Sequence, residues 1–256
     1  MKPGIQISSF RPLLTSPEGV SRVFAETARM GCDTVQLQWI DMSVSPEVIV
    51  REMNRFGIRS VSTQDFYETV QEHLDYFIQL NHLCKSRWVC VSKIPEAFAG
   101  PRGLADFSQQ LALLKKRLET EDLELCFHPR GEDFALTGGL QPVQYLMEQD
   151  GLDLSLCLDL YHVHRAGLSL ADTIRRYTGR VCMVHFKDFR QTPKGPALVP
   201  VGQGDIRWEE AVNACLQTRV PFGFVEQEQW EGDPFRCLQE SYDWLGDALR
   251  RREAVG

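Results

Sequence analysis

The chain has 256 residues, of which 43% are hydrophobic, and a formal net charge of −7. This composition supports a sizeable core, while the negative balance disfavours non-specific binding to nucleic acid or anionic lipid. The sequence contains no run of about 18 apolar residues and no signal peptide before its first strand-like segment. We therefore expect a cytoplasmic protein, and the lack of a Gly/Ser/Pro-rich linker predicts a single domain over residues 1–256.

Short β-type segments alternate along the chain with longer helix-type segments. The predicted strands cover residues 4–9, 34–39, 58–63, 87–92, 123–128, 154–159, 180–185 and 222–227. The predicted helices cover residues 16–30, 46–56, 65–84, 103–120, 140–149, 169–177, 208–218 and 234–252. Eight such units favour an α/β chain closed into a parallel (β/α)8 TIM barrel. A doubly wound open sheet is the alternative, although no GxGxxG or P-loop follows the first strand.

The eight cysteines form no CxxC pair, and several lie inside apolar strand-like segments. This distribution disfavours both a disulfide framework and a zinc site, so we expect reduced thiols that are mostly buried. The cysteines are Cys32, Cys84, Cys90, Cys126, Cys157, Cys182, Cys215 and Cys237.

Metal-binding side chains stand at the ends of the last four predicted strands. His128, Asp159, His185 and Glu226 are separated by intervals of 31, 26 and 41 residues, about one strand-helix unit each. Because the carboxyl ends of parallel strands converge on one mouth of a barrel, the four side chains suit a divalent cation. Taken singly, each has another interpretation: a hydrogen-bonded loop histidine, an N-cap at Asp159, or a solvated Glu226.

Five segments in order resemble the xylose isomerase-like (AP endonuclease family 2) barrels, which include sugar phosphate isomerases and epimerases. They are "ETARMGCDTVQL", "LDLYHVHRAG", "VHFKD", "VGQGDIRW" and "FVEQE". The resemblance implies a TIM barrel with Asp159, His185 and Glu226 as metal ligands and His162 close to the substrate. It places His128 at the ligand position of the fifth strand.

Two residues depart from the pattern of this family. His128 stands where many members have a glutamate, and Gln36 stands where the family often has one. Family epimerases typically use two metal-bound glutamates on opposite faces of the substrate. A coordinated imidazole has no free basic nitrogen facing the substrate, so the departure at His128 weakens that mechanism for this chain.

The resemblance implies a metal-dependent sugar or sugar-phosphate isomerase or epimerase that removes a proton alpha to a carbonyl. Glu226 is the expected base, and His162 or Glu132 the second proton-transfer group. A ligand set of two histidines, an aspartate and a glutamate fits Mn²⁺, Zn²⁺, Co²⁺ or Fe²⁺. The expected substrate-binding residues are Arg130, Lys187, Gln38, Gln64 and Trp39.

Other interpretations of these residues and of the whole chain stay open. Lys187 is also interpretable as a solvated lysine, and Arg130 as half of a structural salt bridge. The Pro- and Gly-rich segment 190–206 predicts either a mobile cover over the mouth or a poorly ordered surface connection.

Three other functions compete with the isomerase. A dehydratase of a cyclitol or dehydroshikimate-like substrate needs one base and one acid; a non-catalytic metabolite-binding barrel needs neither. A nuclease similar to endonuclease IV is disfavoured by the net charge. We expect a small sugar or cyclitol substrate, no nucleic acid or membrane partner, and a possible homo-oligomer.

Overall fold

Eight parallel strands close into a barrel in the computed structural model, which describes residues 1–136 and 139–253. The barrel strands are β1 (Lys2–Gln6), β2 (Thr34–Gln38), β3 (Arg59–Phe66), β4 (Trp88–Ser92), β5 (Glu124–His128), β6 (Ser155–Asp159), β7 (Val181–Phe186) and β10 (Phe222–Val225). Strand β1 pairs with both β2 and β10, so the sheet has no free edge. The predicted (β/α)8 barrel and all eight of its strands are confirmed, and the open sheet is excluded.

Helices follow the strands and cover the outside of the barrel. They are α1 (Pro17–Arg29), α2 (Pro46–Phe56), α3 (Tyr67–Glu72), α4 (Leu74–Cys84), α5 (Gly100–Glu119), α6 (Pro142–Met147), α7 (Leu160–Arg165), α8 (Leu170–Arg176), α9 (Glu209–Gln217) and α10 (Pro234–Glu253). Helix α1 begins as predicted, with Pro17 in its first turn and the Ser16 side chain accepting a hydrogen bond from Gly19 N. None of the helices in residues 1–136 and 139–253 is long and apolar enough to cross a membrane.

The predicted helix over residues 65–84 is wrong in two respects. Strand β3 extends to Phe66, and the helical part is divided at His73, whose φ of −121° and ψ of 32° are not helical. The two parts pack against different neighbours, since Tyr67 of α3 contacts Phe107 of α5, whereas α4 packs on α2. One straight helix cannot face both partners.

The segment 190–206 is more regular than either of its predicted forms. Strands β8 (Asp188–Thr192) and β9 (Gly195–Val199) form an antiparallel hairpin that covers its first half. Polar residues and Pro196 mask the alternation from which a strand is recognised in the sequence. Helix α7 was also missed, because it has only six residues.

The apolar core has two parts, one between the barrel and the helices and one inside the barrel. The inner part combines two aromatic rings with small and flexible sulfur side chains. Its buried members are Trp88, Cys90, Cys126, Cys157, Cys182, Met183 and Phe224. Six of the eight cysteines are buried, as predicted, and four of them are in this inner cluster.

Asp188 anchors the chain that follows β7. Its fully buried carboxylate accepts hydrogen bonds from a backbone segment that would otherwise leave donors unsatisfied. The donors are Phe189 N (2.9 Å), Gly202 N (2.9 Å), Gly204 N (3.2 Å), Ile206 N (3.3 Å) and Trp208 Nε1 (2.9 Å). A Cβ on Gly204 would lie 2.1 Å from the Asp188 carboxylate, so glycine is required there. The "VHFKD" and "VGQGDIRW" segments are therefore two halves of one structural unit.

We expect Asp188→Ala to lower the free energy of unfolding by about 4 kcal/mol, because several buried donors lose their acceptor at once. Urea unfolding followed by circular dichroism measures the change. Asp205→Ala is the matched control, since the exposed Asp205 carboxylate accepts one bond, from Gln191 N at 2.7 Å. The control should lose less than about 1 kcal/mol. Similar losses in the two variants would contradict the anchoring role of Asp188.

Candidate metal centre at the barrel mouth

The four predicted metal ligands all lie at the carboxyl end of the barrel. Ligand atoms of Asp159, His185 and Glu226 are within 4.8 Å of one another, and all three side chains are buried. His128 is beside them, with its ring centroid 4.9 Å from that of His185. His128 and His185 also form a second such group with Cys157. Strand pairing produces this arrangement directly, because Asp159 and His185 are register partners on β6 and β7.

Each of the four residues presents one buried atom that has no hydrogen-bond partner among the residues that the structure describes. These atoms are His128 Nε2, Asp159 Oδ2, His185 Nδ1 and Glu226 Oε2. Charged neighbours approach the two oxygens at 3.0–3.2 Å, but without hydrogen-bond angles. Buried polar atoms are rarely left unpaired, and four in one place have the chemistry of a cation-binding donor set.

The N-cap interpretation of Asp159 is confirmed, and its second oxygen stays available as a ligand atom. Its Oδ1 accepts hydrogen bonds from Tyr161 N at 2.9 Å and from His162 N at 3.3 Å, which makes it the N-cap of α7. Its Oδ2 is the atom that faces the other candidate ligands. The cap fixes the carboxylate in one orientation, so the second oxygen has a defined direction.

Lys187 is buried among carboxylates, which contradicts its interpretation as a solvated lysine. Its Nζ lies 2.7 Å from Glu228 Oε1, 3.0 Å from Glu226 Oε2 and 3.2 Å from Asp159 Oδ2. Burial by itself would lower the pKa of Lys187, but the three carboxylates raise it well above its ordinary value. The side chain is therefore a fixed positive charge at neutral pH.

The same cluster keeps Asp159 and Glu226 ionised. Burial opposes this, but Lys187 and the nearby histidines lower the pKa of Asp159 to about 2 and that of Glu226 well below its ordinary value. The Ser8 hydroxyl donates a hydrogen bond to Glu226 Oε1 at 2.8 Å, which leaves Oε2 facing the other ligands. For Glu228 the balance is different, because burial and the negative charge of Glu226 raise its pKa.

Gln36 orients His185. The Gln36 Oε1 atom lies 2.6 Å from His185 Nε2 and also accepts a hydrogen bond from Gln6 Nε2 at 3.0 Å. An amide oxygen can only accept, so His185 Nε2 carries a proton, and Nδ1 faces Glu226 Oε2 at 3.2 Å. The glutamine at position 36 thus has a structural role, because it orients the His185 ring.

The predicted hydroxyl-binding residues Gln38 and Gln64 are hydrogen-bonded to one another. Gln36 Nε2 donates to Gln64 Oε1 at 3.0 Å, and Gln64 Nε2 donates to Gln38 Oε1 at 3.3 Å. These amides continue the chain that begins at His185. Trp39 follows at the end of β2, where the Arg11 guanidinium stacks on its ring at 4.6 Å.

His162, Arg130 and Glu132 lie on the side of the mouth formed by β5 and β6. His162 Nε2 is 3.7 Å from Asp159 Oδ2, and burial lowers the pKa of the imidazole below its ordinary value. Glu132 is exposed; a hydrogen bond from its own backbone and the charge of Arg130 lower the pKa of its carboxyl. Arg130 lines an open groove together with Lys93. No carboxylate in the described part of the chain lies within 4 Å of the Arg130 guanidinium, so the salt-bridge interpretation has no support.

Sequence reasoning missed several residues of this site. Glu228 is the most consequential, because it is the nearest carboxylate to Lys187. Its spacing of two residues from Glu226 on an extended segment was the available signal. Ser92 was also missed; its Oγ lies 3.1 Å from His128 Nδ1, and no motif indicated it.

Comparison with known proteins supports the fold at low sequence identity. No family model matches the sequence, and no curated protein sequence matches it. A sugar phosphate isomerase/epimerase from Parabacteroides distasonis is 14% identical with a TM-score of 0.77, covering 95% of this chain and 97% of that one. A probable 3-DHS dehydratase from Bacillus anthracis is 14% identical with a TM-score of 0.74, covering 96% and 99%.

The IOLI protein, solved with a zinc atom, is 13% identical with a TM-score of 0.74, covering 98% of this chain and 99% of that one. The three likenesses establish that this chain has the barrel fold expected from the resemblance. At this level of identity they establish the fold alone.

Replacing Lys187 by methionine should lower the free energy of unfolding by about 3 to 5 kcal/mol at pH 7 in the presence of EDTA, because two buried carboxylates and the partly exposed Glu228 lose their counter-ion. In the wild type, the lowered pKa values of Asp159 and Glu226 stabilise the fold above the unfolded-state values near 4, and this contribution is lost as pH falls. The difference between the two proteins should therefore be smaller at pH 2, near the folded-state pKa of Asp159, than at pH 7. Urea titrations at both pH values measure it.

Lys194→Met is the control, because Lys194 is exposed in the turn between β8 and β9. It should change stability by less than about 0.5 kcal/mol at either pH. If Lys187→Met lost no stability, or lost the same amount at both pH values, the result would contradict the ion cluster.

Proposed function

We propose that His128, Asp159, His185 and Glu226 hold one divalent metal ion. The observation that carries the proposal is the set of four buried, unpartnered atoms, one from each residue. Charge balance supports it, since Asp159, Glu226 and Glu228 with Lys187 leave two uncompensated negative charges when all are ionised. A divalent ion would neutralise this excess among side chains that are mostly buried.

Two imidazoles and two carboxylates suit Mn²⁺, Zn²⁺, Co²⁺ or Fe²⁺ better than Ca²⁺. When bound, such an ion would polarise a substrate carbonyl and stabilise negative charge on its oxygen. Lys187 would keep its own counter-ion, because Glu228 holds the ammonium more closely than either ligand oxygen does. Ser92 can accept the Nδ1 proton of His128, which leaves the Nε2 lone pair available for a ligand bond.

The chain's own residues support an isomerase or epimerase that acts on a sugar or sugar phosphate. Glu226 takes the proton from a carbon next to the carbonyl, and its lowered pKa keeps it ionised for this step. His162 Nε2 lies 3.7 Å from Asp159 Oδ2, and its lowered pKa leaves the imidazole neutral, so it can exchange the second proton. Glu132, which is more exposed, is the other candidate for that exchange.

The rim of the mouth supports a substrate with an anionic end. Arg130 and Lys93 line one groove with the Phe66 ring, and the guanidinium fork matches the oxygens of a phosphate or carboxylate. On the opposite side, the register partners Gln38 and Gln64 bring amides to the carboxyl ends of β2 and β3, and Trp39 follows Gln38. This combination of amides, an aromatic ring and cations fits a phosphorylated sugar.

A dehydratase is the second candidate, favoured by the imidazole at the fifth-strand position. With His128 there, the proposed ligand set has Glu226 but no second glutamate on the opposite face. Elimination of water needs only one base and one acid, which Glu226 and His162 can provide. The first step, removal of the proton next to a carbonyl, is common to both reactions.

We expect the purified protein, dialysed against Mn²⁺, Zn²⁺ or Co²⁺, to retain about one ion per chain by elemental analysis. The ion should raise the melting temperature by about 5 to 10 °C at 100 times its dissociation constant. His185→Ala and Glu226→Gln should each weaken binding by 100-fold or more, since each removes a ligand. Glu209→Gln, at the exposed start of α9, is the control and should bind as the wild type does. A wild type that retains no ion and gains no thermal stability would refute the metal centre.

Incubation of the metal-supplemented protein with ketoses, ketose phosphates and inososes in D2O tests the reaction. Deuterium incorporation at carbon without loss of water supports the isomerase, and an enone absorbance supports the dehydratase. Glu226→Gln should lower the rate by about 10³-fold. Tight binding of a substrate with no exchange in the wild type would instead identify a non-catalytic binding barrel.

A further inference from the structure

An open cleft of about 680 Å³ lies at the opposite end of the barrel, where the strands begin. Residues from the first positions of β3, β4, β5, β6, β7 and β10 line it, so it surrounds the barrel axis. Its volume falls in the range of small-molecule sites. None of the proposed catalytic or metal-binding residues lines it, and the cleft is separate from the mouth.

The floor of the cleft is aromatic. Trp88 and Phe222 contact one another edge to face, with ring centroids 6.2 Å apart, and both line the cleft. Trp88 Nε1 donates to Glu124 Oε2 at 3.0 Å, which fixes the indole. A planar apolar group can therefore pack on these two rings. Trp88 Nε1 needs no partner from the ligand, because Glu124 already accepts its hydrogen bond.

Two cations on the rim are held in an unfavourable backbone conformation. Lys85 after α4 has a φ of 56° and Arg219 after α9 has a φ of 57°, both in the left-handed region. At the corresponding end of α2 the chain uses Gly57, with a φ of 68°, which adopts this conformation without strain. Both residues line the cleft, so these two helix ends place positive charge at its rim.

The positive charge of the rim is largely uncompensated. Neither Lys85 nor Arg219 has a carboxylate within 4 Å in residues 1–136 and 139–253. Arg180 Nη1 lies 4.0 Å from Asp153 Oδ1, while its buried Nη2 has no partner in the same ranges. Arg87 differs, because Glu124 neutralises it. Three cations thus face one cleft in a protein whose net charge is −7.

We propose that this cleft is a second ligand site, which binds a small organic anion with a planar apolar body. Trp88 and Phe222 contact the apolar body, while Lys85, Arg180 and Arg219 bind the anionic group. The cations select a ligand with an anionic group, and the aromatic floor selects one with an apolar body. A free inorganic anion would make no contact with the floor.

Calorimetric titration with 2-naphthoate tests the proposal, with the neutral 2-naphthylmethanol as the uncharged analogue. The wild type should bind 2-naphthoate at one site per chain and bind the alcohol at least tenfold more weakly. The double variant Lys85→Gly/Arg219→Gly should lose at least tenfold in affinity for 2-naphthoate. Its melting temperature should not fall, because glycine relieves the left-handed conformation at both positions.

Two control variants make the result specific to the cleft. Asp122→Gly replaces another left-handed residue at the same end of the barrel, with a φ of 56°, which does not line the cleft; it should bind as the wild type does. Glu226→Gln should also bind normally, because it alters only the mouth. Absence of 2-naphthoate binding in the wild type, equal binding by the double variant, or loss of binding in Glu226→Gln would each overturn the proposal.

Discussion

The barrel mouth depends on one buried ammonium group. Lys187 lies among Asp159, Glu226 and Glu228 at distances of 2.7–3.2 Å, and without it three carboxylates would be forced together in a region of low dielectric. Coulombic attraction to these groups outweighs the desolvation of the lysine, so the cluster stays ionised. Such clusters are seldom the most stable way to fill space, because replacing all of their members by hydrophobic residues often costs nothing, whereas removing one member leaves the others uncompensated. The cluster therefore fixes charge at the mouth rather than adding stability to the barrel.

The two sides of the mouth have different chemistry, and His185 joins them. On one side are the ionisable groups of β5, β6, β7 and β10, and on the other the neutral amides of β1, β2 and β3. Gln36 connects the sides through its contact with His185 Nε2, which fixes the orientation of the ring. Below this layer the barrel interior changes to thiols and aromatic rings. The polar layer is thus one residue deep and rests on an apolar floor that excludes water.

Much of this architecture could be predicted from the sequence, because alternation and strand-end position have direct physical causes. Periodicity indicated all eight barrel strands, and convergence of parallel strands brought His128, Asp159, His185 and Glu226 to one end. What could not be predicted depends on contacts between distant segments. Three features follow from packing and leave no local pattern in the sequence. They are the ion pair of Lys187 with Glu228, the chain of amide hydrogen bonds from Gln36, and the division of the helix at His73.

The Asp188 anchor separates the hairpin from the polar layer at the mouth. Asp188 is next to Lys187 in the sequence. Its carboxylate accepts hydrogen bonds mainly from backbone N–H groups, so these bonds do not depend on the side chains of residues 203, 205 and 207. The tip of the hairpin, from Thr192 to Gly195, lies at the other end of the same ladder. Insertions at that tip could lengthen the hairpin while Lys187 keeps its position. Loop length could in this way change beside the mouth while the ionic cluster around Lys187 keeps its geometry.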